Sequence, residues 1–201
     1  MPNYKPLFKK NLLMMIILVF FILVVILFIN FLYDKKSPSV SLGGSFILTD
    51  QNGEIFNSSK VNLKKLIYFG YTYCPDICPF DLMRNAQVVE LLKNENIKIK
   101  PIFITLDPKR DTLETLKEYT DFHHNDMIGL TGSEKDMQKI KDIFMVYSQM
   151  PKDLSGDYIL NHSTFTYFVL PEIGLTTYFT RKDKVKKISD TVKCILKNIN
   201  P

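Results

Sequence analysis

The chain has 201 residues, 46% of them hydrophobic and 12% aromatic, which is enough apolar side chain for one ordinary core once any membrane segment is set aside. Its formal charge of +5 comes mostly from scattered lysine, and the forked guanidinium groups are limited to Arg84, Arg110 and Arg181. That pattern excludes an arginine-rich nucleic-acid footprint, and no nucleic-acid partner is expected.

The first element is an apolar run. From Leu12 to Ile29 there are eighteen apolar residues without a charge, and a helix of that length reaches ~27 Å, close to the hydrocarbon thickness of a bilayer. A cleaved signal peptide has a shorter apolar region, ~7–15 residues, followed by a small-residue cleavage site, and neither fits. An uncleaved anchor over 12–32 is therefore expected. Lys5, Lys9 and Lys10 precede it, whereas Lys35 and Lys36 follow beside Asp34, so residues 1–11 are expected in the cytoplasm. The Ser, Gly and Pro of "S-P-S-V-S-L-G-G-S" mark a linker, 33–44, before a folded domain over 45–201.

The domain opens with "S-F-I-L-T-D-Q-N-G-E-I-F", where Asn52-Gly53 between apolar runs predicts a β-hairpin. "L-K-K-L-I-Y-F-G-Y" reads as a strand, "F-D-L-M-R-N-A-Q-V-V-E-L-L-K-N" as an amphipathic helix and "I-K-I-K-P-I-F-I-T-L" as a second strand. A helix over about 112–122, a short strand "M-I-G-L-T" and a helix from the N-cap Ser133 to about Tyr147 follow. "S-T-F-T-Y-F-V-L" and "L-T-T-Y-F-T" predict a strand pair turning at Pro171 and Gly174, and a lysine-rich helix ends the chain. Strands alternating with helices imply an α/β sheet, with chemistry at the carboxyl ends of the parallel strands.

"Y-F-G-Y-T-Y-C-P-D-I-C-P" puts Cys74 and Cys78 in the loop leaving the first such strand. Pro79 disfavours α conformation at Cys78 and suits a first helical turn, so the helix is predicted to start at Pro79. A thiol near that positive helix end is shifted toward thiolate, the form that attacks disulfides and binds metals. Three readings are open. A structural disulfide closes so short a loop that it removes little chain entropy. A redox dithiol fits the strand–cysteines–helix order, although thioredoxins keep two intervening residues and this chain has three. A metal site needs a further ligand, and the histidines are His123 and His124, which read as helix-terminal residues, and His162 at the mouth of a predicted core strand. A lone histidine there is more often a surface or capping residue than a ligand. Two thiolates and one imidazole would suit copper, as Cu(I) or Cu(II), and zinc would accept the same set.

Four ordered blocks, "F-G-Y-T-Y-C-P-D-I-C-P", "I-T-L-D-P-K-R-D-T-L-E-T-L-K-E-Y", "I-G-L-T-G-S" and "D-Y-I-L-N-H-S-T-F-T-Y-F-V-L-P", resemble the Sco/SenC copper proteins over residues 40 to 198. The resemblance implies a thioredoxin-like fold with an added N-terminal hairpin, and metal ligation by Cys74, Cys78 and His162. It also implies a membrane-anchored carrier that helps assemble the copper centre of cytochrome c oxidase. The partners would then be the copper-binding subunit of the oxidase and a thiol reductase that keeps the cysteines reduced. The domain would face the periplasm, or the equivalent mitochondrial intermembrane space. Many members carry aspartate just before the ligand histidine; Asn161 stands there, an amide without charge, which bears on how the site is tuned. Asp107 and Arg110 also match, and their simplest role is loop structure, Arg110 pairing with a carboxylate. The rival reading is a thiol-disulfide oxidoreductase or thiol peroxidase using Cys74 or Cys78 as nucleophile, with His162 incidental. Tyr71, Tyr73 and Phe80 are expected to pack the cysteine loop, and Cys194, in the last helix, to be a small buried residue without a ligand role.

Overall fold

The computed structural model describes residues 5–33, 42–151 and 158–199. The chain divides into two units, 1–39 and 40–201. The first contains one helix, α1 (Lys5–Tyr33), whose described side chains, Leu12 and Met14–Phe28, are apolar and exposed. Among the described residues no helix is long and apolar enough to cross a membrane. The predicted linker, apart from Tyr33 and Leu42 to Gly44, and the first four residues of the predicted tail lie outside the described residues.

The second unit runs β1 (Ile47–Asp50), β2 (Ile55–Asn57), β3 (Lys64–Gly70), α2 (Ile77–Asn94), β4 (Ile99–Thr105), α3 (Leu113–His123) and β5 (Ile128–Thr131). It continues with α4 (Glu134–Phe144), β6 (Ser148–Gln149), β7 (Asn161–His162), β8 (Thr166–Leu170), β9 (Gly174–Phe179) and α5 (Val185–Ile199). Seven strands form one sheet in the order β2-β1-β5-β4-β3-β8-β9, while β6 and β7 pair separately. β3, β4 and β5 are mutually parallel neighbours and the remaining pairs are antiparallel. The hairpin β1–β2 is the predicted one; Gly53, at φ +83°, supplies the left-handed turn that a side chain would resist.

Side chains alternate across β3 with period two, and both faces are covered. Ile67, Phe69 and Tyr71 join Phe144 and Ile140 of α4 in one cluster. Leu66 packs on the opposite face with Val88 and Val89 of α2 and Ile188 and Val192 of α5. Tyr68 lies there too, with Cys78, Leu82 and Phe103. The predicted caps Ser133 and the end of α3 at His123 are found, with Ser133 Oγ accepting from Asp136 N at 3.2 Å.

Several local expectations are corrected. α2 starts at Ile77, two residues before Pro79. Amide groups of a first turn have no intrahelical acceptor, so a proline inside that turn removes no bond. α4 ends at Phe144, where Met145 turns left-handed at φ 52°. Cys194 is exposed on α5 instead of buried, and Tyr73 and Phe80 are more than half exposed, leaving Tyr71 alone of the three aromatics packed in the core.

Candidate metal centre

The site forms at the carboxyl end of β3. Gly70 ends the strand, Tyr71 follows into the core, and Cys74 N donates to Tyr71 O at 3.2 Å, which closes a turn ahead of α2. The turn is pinned from beneath by Asp111. Its buried carboxylate accepts from Thr72 N at 3.0 Å, from Thr72 Oγ1 at 2.7 Å and from Thr105 Oγ1 at the end of β4. Burial holds the Asp111 carboxyl above its usual range, against the hydrogen bonds from Thr105 and Thr72.

Cys78 lies in the first turn of α2, fully buried, in the space left by the missing side chain of Gly70. A Cβ at position 70 would stand 2.8 Å from Cys78 Sγ. Cys74 is half-buried. The two sulfurs share a proton unequally. A hydrogen bond from the Cys78 thiol, aided by His162 and the backbone amides of Cys78 and Asp76, pulls the Cys74 thiol far down. Donating that bond to Cys74, and burial, push the Cys78 thiol up. The shifts favour keeping the shared proton on Cys78, so the lowering expected at the helix start falls on Cys74 instead.

His162 comes from β7, eighty-four positions after Cys78, and its Nε2 is 3.6 Å from Cys78 Sγ. Its position is fixed by the small β6–β7 ladder, where it pairs with Ser148, and by Ser163 N donating to Tyr147 O at 3.0 Å. It does not begin the core strand, as the sequence predicts; that strand starts at Thr166. Its Nδ1 lies 2.9 Å from the carbonyl oxygen of Ser163. Only an N–H pairs with a carbonyl, so Nδ1 carries a hydrogen and Nε2 is the ring nitrogen turned to the sulfurs. The edge of Tyr71 supports the ring, with centroids 5.9 Å apart and planes at 80°.

The ligating atoms of Cys74, Cys78 and His162 all lie within 4.8 Å of one another. An ion ~2.3 Å from each sulfur and ~2.0 Å from nitrogen leaves its ligands roughly 3.5–4.5 Å apart, so this donor set accepts one ion with shifts of tenths of an ångström. Soft thiolates with imidazole suit copper or zinc. The same asymmetric thiol pair also suits disulfide exchange. His123 and His124 lie elsewhere: His123 stacks on Tyr119, and His124 Nε2 reaches Glu90 at 2.9 Å. Asn161 is exposed and pairs with Gln149 in the ladder. Gly70, Thr72 and Asp111 carry no motif of their own in sequence; Gly70, directly before the cysteine loop, is the one whose position offered a signal.

A family model described as SCO1/SenC matches residues 34–197. A SCO2-like protein of Rickettsia conorii is 50% identical over 135 residues, a match that spans 65% of this chain and 65% of that one. Yeast Sco1 with copper bound matches at a TM-score of 0.73 and 34% identity, over 78% of this chain and 89% of its own. Arabidopsis thaliana ScoI with copper bound matches at 0.73 and 30% identity, over 78% and 99%. The sheet with its added hairpin is thus the mixed α/β, thioredoxin-like arrangement of those structures.

Proposed function

The chain belongs to the SCO1/SenC family, and from that premise we propose that it carries copper to an apoprotein acceptor during assembly of the copper centre of cytochrome c oxidase. Cys74 and Cys78, both as thiolates, and His162 through Nε2 are the ligands in this reading. The carrying observation is the convergence of three soft donors within 4.8 Å, the imidazole already turned with Nε2 toward the sulfurs. Copper bound to two relatives of the same fold supports that metal over zinc. Transfer proceeds by ligand exchange: a thiolate of the acceptor replaces one ligand at a time, with no covalent bond made in the protein. Cys74, half-buried, is the sulfur an acceptor reaches first.

The full chain in detergent, with its cysteines reduced, is expected to bind one copper ion. After oxidation to the Cys74–Cys78 disulfide both thiolates are lost and binding falls to background, so a thiol reductase is the required partner. Equal copper loading in the two states would refute the reading. Proton bookkeeping provides a second check. With the Cys74 thiol pulled down and the Cys78 thiol pushed up, capture as two thiolates should release about one proton per ion. Protons then compete with copper, and apparent affinity declines as pH falls. Titration in weak buffer measures this, and release of two protons would contradict the unequal pair.

A second reading rests on the same asymmetry. The Cys74 thiolate attacks a disulfide in the oxidase or another exported protein, Cys78 resolves the mixed disulfide, and the target leaves as a dithiol. A reductase then restores the pair.

The eighteen uncharged apolar residues Leu12–Ile29, most of them in the described stretch of α1, support an anchor with the N-terminus in the cytoplasm and the domain outside. The full chain is expected in the membrane pellet after an alkaline carbonate wash, and recovery in the supernatant would exclude an integral anchor.

A further inference from the structure

The segment that brings His162 to the sulfurs, Tyr158 into β7, is held at three alternate positions. From 158 to 162 the exposure alternates: Tyr158, Leu160 and His162 turn inward, while Ile159 and Asn161 are exposed. Leu160 is buried, and its N–H donates to Tyr71 OH at 3.3 Å. Tyr158 is held by different means. Its hydroxyl donates to Asp107 Oδ1 at 2.9 Å, and its ring lies against the guanidinium of Arg110, whose Cζ is 3.4 Å from the ring centroid. Arg110 Nε donates in turn to Asp107 Oδ2 at 2.6 Å. Asp107 is fully buried after β4, with its own N–H on Thr105 Oγ1 at 2.9 Å, so the anchor is part of the sheet's rigid end. The same guanidinium lies 5.0 Å from the ring of Tyr73 and 5.6 Å from that of Tyr71, the residues that lead into Cys74. One cation therefore joins the cysteine loop to the histidine strand.

We propose that Asp107, Arg110 and Tyr158 form a clasp that fixes how far His162 extends over the sulfur pair, which makes them positioning residues for metal capture. This rests on the copper reading of the site. A three-ligand site binds only as well as the fraction of molecules in which the third ligand is in place, because apparent affinity scales with the competent population. Breaking the clasp leaves both sulfurs untouched and lowers that population. A merely structural role predicts a different pattern, a loss that is the same whether or not His162 is present.

The test is a double-mutant cycle on the full chain, with copper affinity measured by competition against a chromophoric chelator. Tyr158→Ala is expected to weaken binding ~10–100-fold, the cost of losing an outer partner of a ligand. Tyr158→Phe keeps the ring on Arg110 and loses only the hydroxyl bond, so it should fall between wild type and Tyr158→Ala. In a His162→Ala background Tyr158→Ala should change affinity less than ~2-fold, since coupled residues act as one. The Cu(II) form of Tyr158→Ala should also show weakened imidazole nitrogen coupling in electron paramagnetic resonance. If Tyr158→Ala does not fold by circular dichroism, Tyr158→Phe and Arg110→Lys carry the same cycle. Equal losses in both backgrounds, or wild-type affinity in the folded clasp variants while His162→Ala weakens binding, overturn the clasp and leave the copper site intact. Wild-type affinity in His162→Ala itself overturns the ligand assignment and the clasp together.

Discussion

Cys78→Ala is expected to abolish copper capture while leaving the fold in place. The side chain is fully buried in a cluster with Tyr68, Leu82 and Phe103, and alanine keeps its Cβ there, removing only the sulfur. The remaining set is one thiolate and one imidazole, two donors in place of three, and the loss should exceed the roughly 10–100-fold cost of an outer-partner change. Cys78→Ala also distinguishes the two readings. As a carrier, the variant simply fails to load. As an oxidoreductase, it loses the resolving thiol and accumulates mixed disulfides through Cys74. Equilibrium dialysis against Cu(I), with non-reducing electrophoresis of the same sample, measures both. Retention of wild-type copper binding would contradict the site.

Gly70→Ala should have the second largest effect, at a residue that touches no metal. The added methyl would stand 2.8 Å from Cys78 Sγ, 3.0 Å from Phe103 Cε2 and 3.2 Å from Tyr68 Cε1, and all three side chains are fully buried. None has free space to yield, so overpacking costs about 1–3 kcal/mol. For a domain of this size that lowers Tm by roughly 2–12 °C. The sulfur must also move from its place 3.6 Å from His162 Nε2, so copper affinity should fall ~10–100-fold. Thermal unfolding and copper competition on one preparation check the two together. An unchanged Tm would show that the pocket behind Cys78 is looser than its contacts indicate.

The layout of the sheet was legible because each central element carries its own signal. β3 and β4 carry the apolar runs Leu66–Phe69 and Ile102–Ile104, Asn52-Gly53 marks the hairpin, and Ser133 caps α4. Cys74 and Cys78 were placed correctly after β3, since a short loop cannot carry them far. His162 was another matter. It is brought to the sulfurs by a two-residue ladder with no periodicity to detect, and only the resemblance to a family pointed to it. Pro79 misled by two residues because its local preference is overridden where first-turn amides need no partners. Cys194 misled because α5 is amphipathic and a cysteine on its solvent side has the same neighbours in sequence as a buried one. Asp111 acts through contacts between separate elements, and sequence alone holds no record of those; for Gly70 the sequence offers only its place directly before the cysteine loop.

The central claim is that one copper ion is bound by Cys74, Cys78 and His162 at once. X-ray absorption on the reduced, copper-loaded protein tests it most directly. Two sulfur scatterers and one imidazole nitrogen, with the nitrogen lost in His162→Ala, are the predicted result. Sulfur-only coordination, or an imidazole signal that persists without His162, would contradict it.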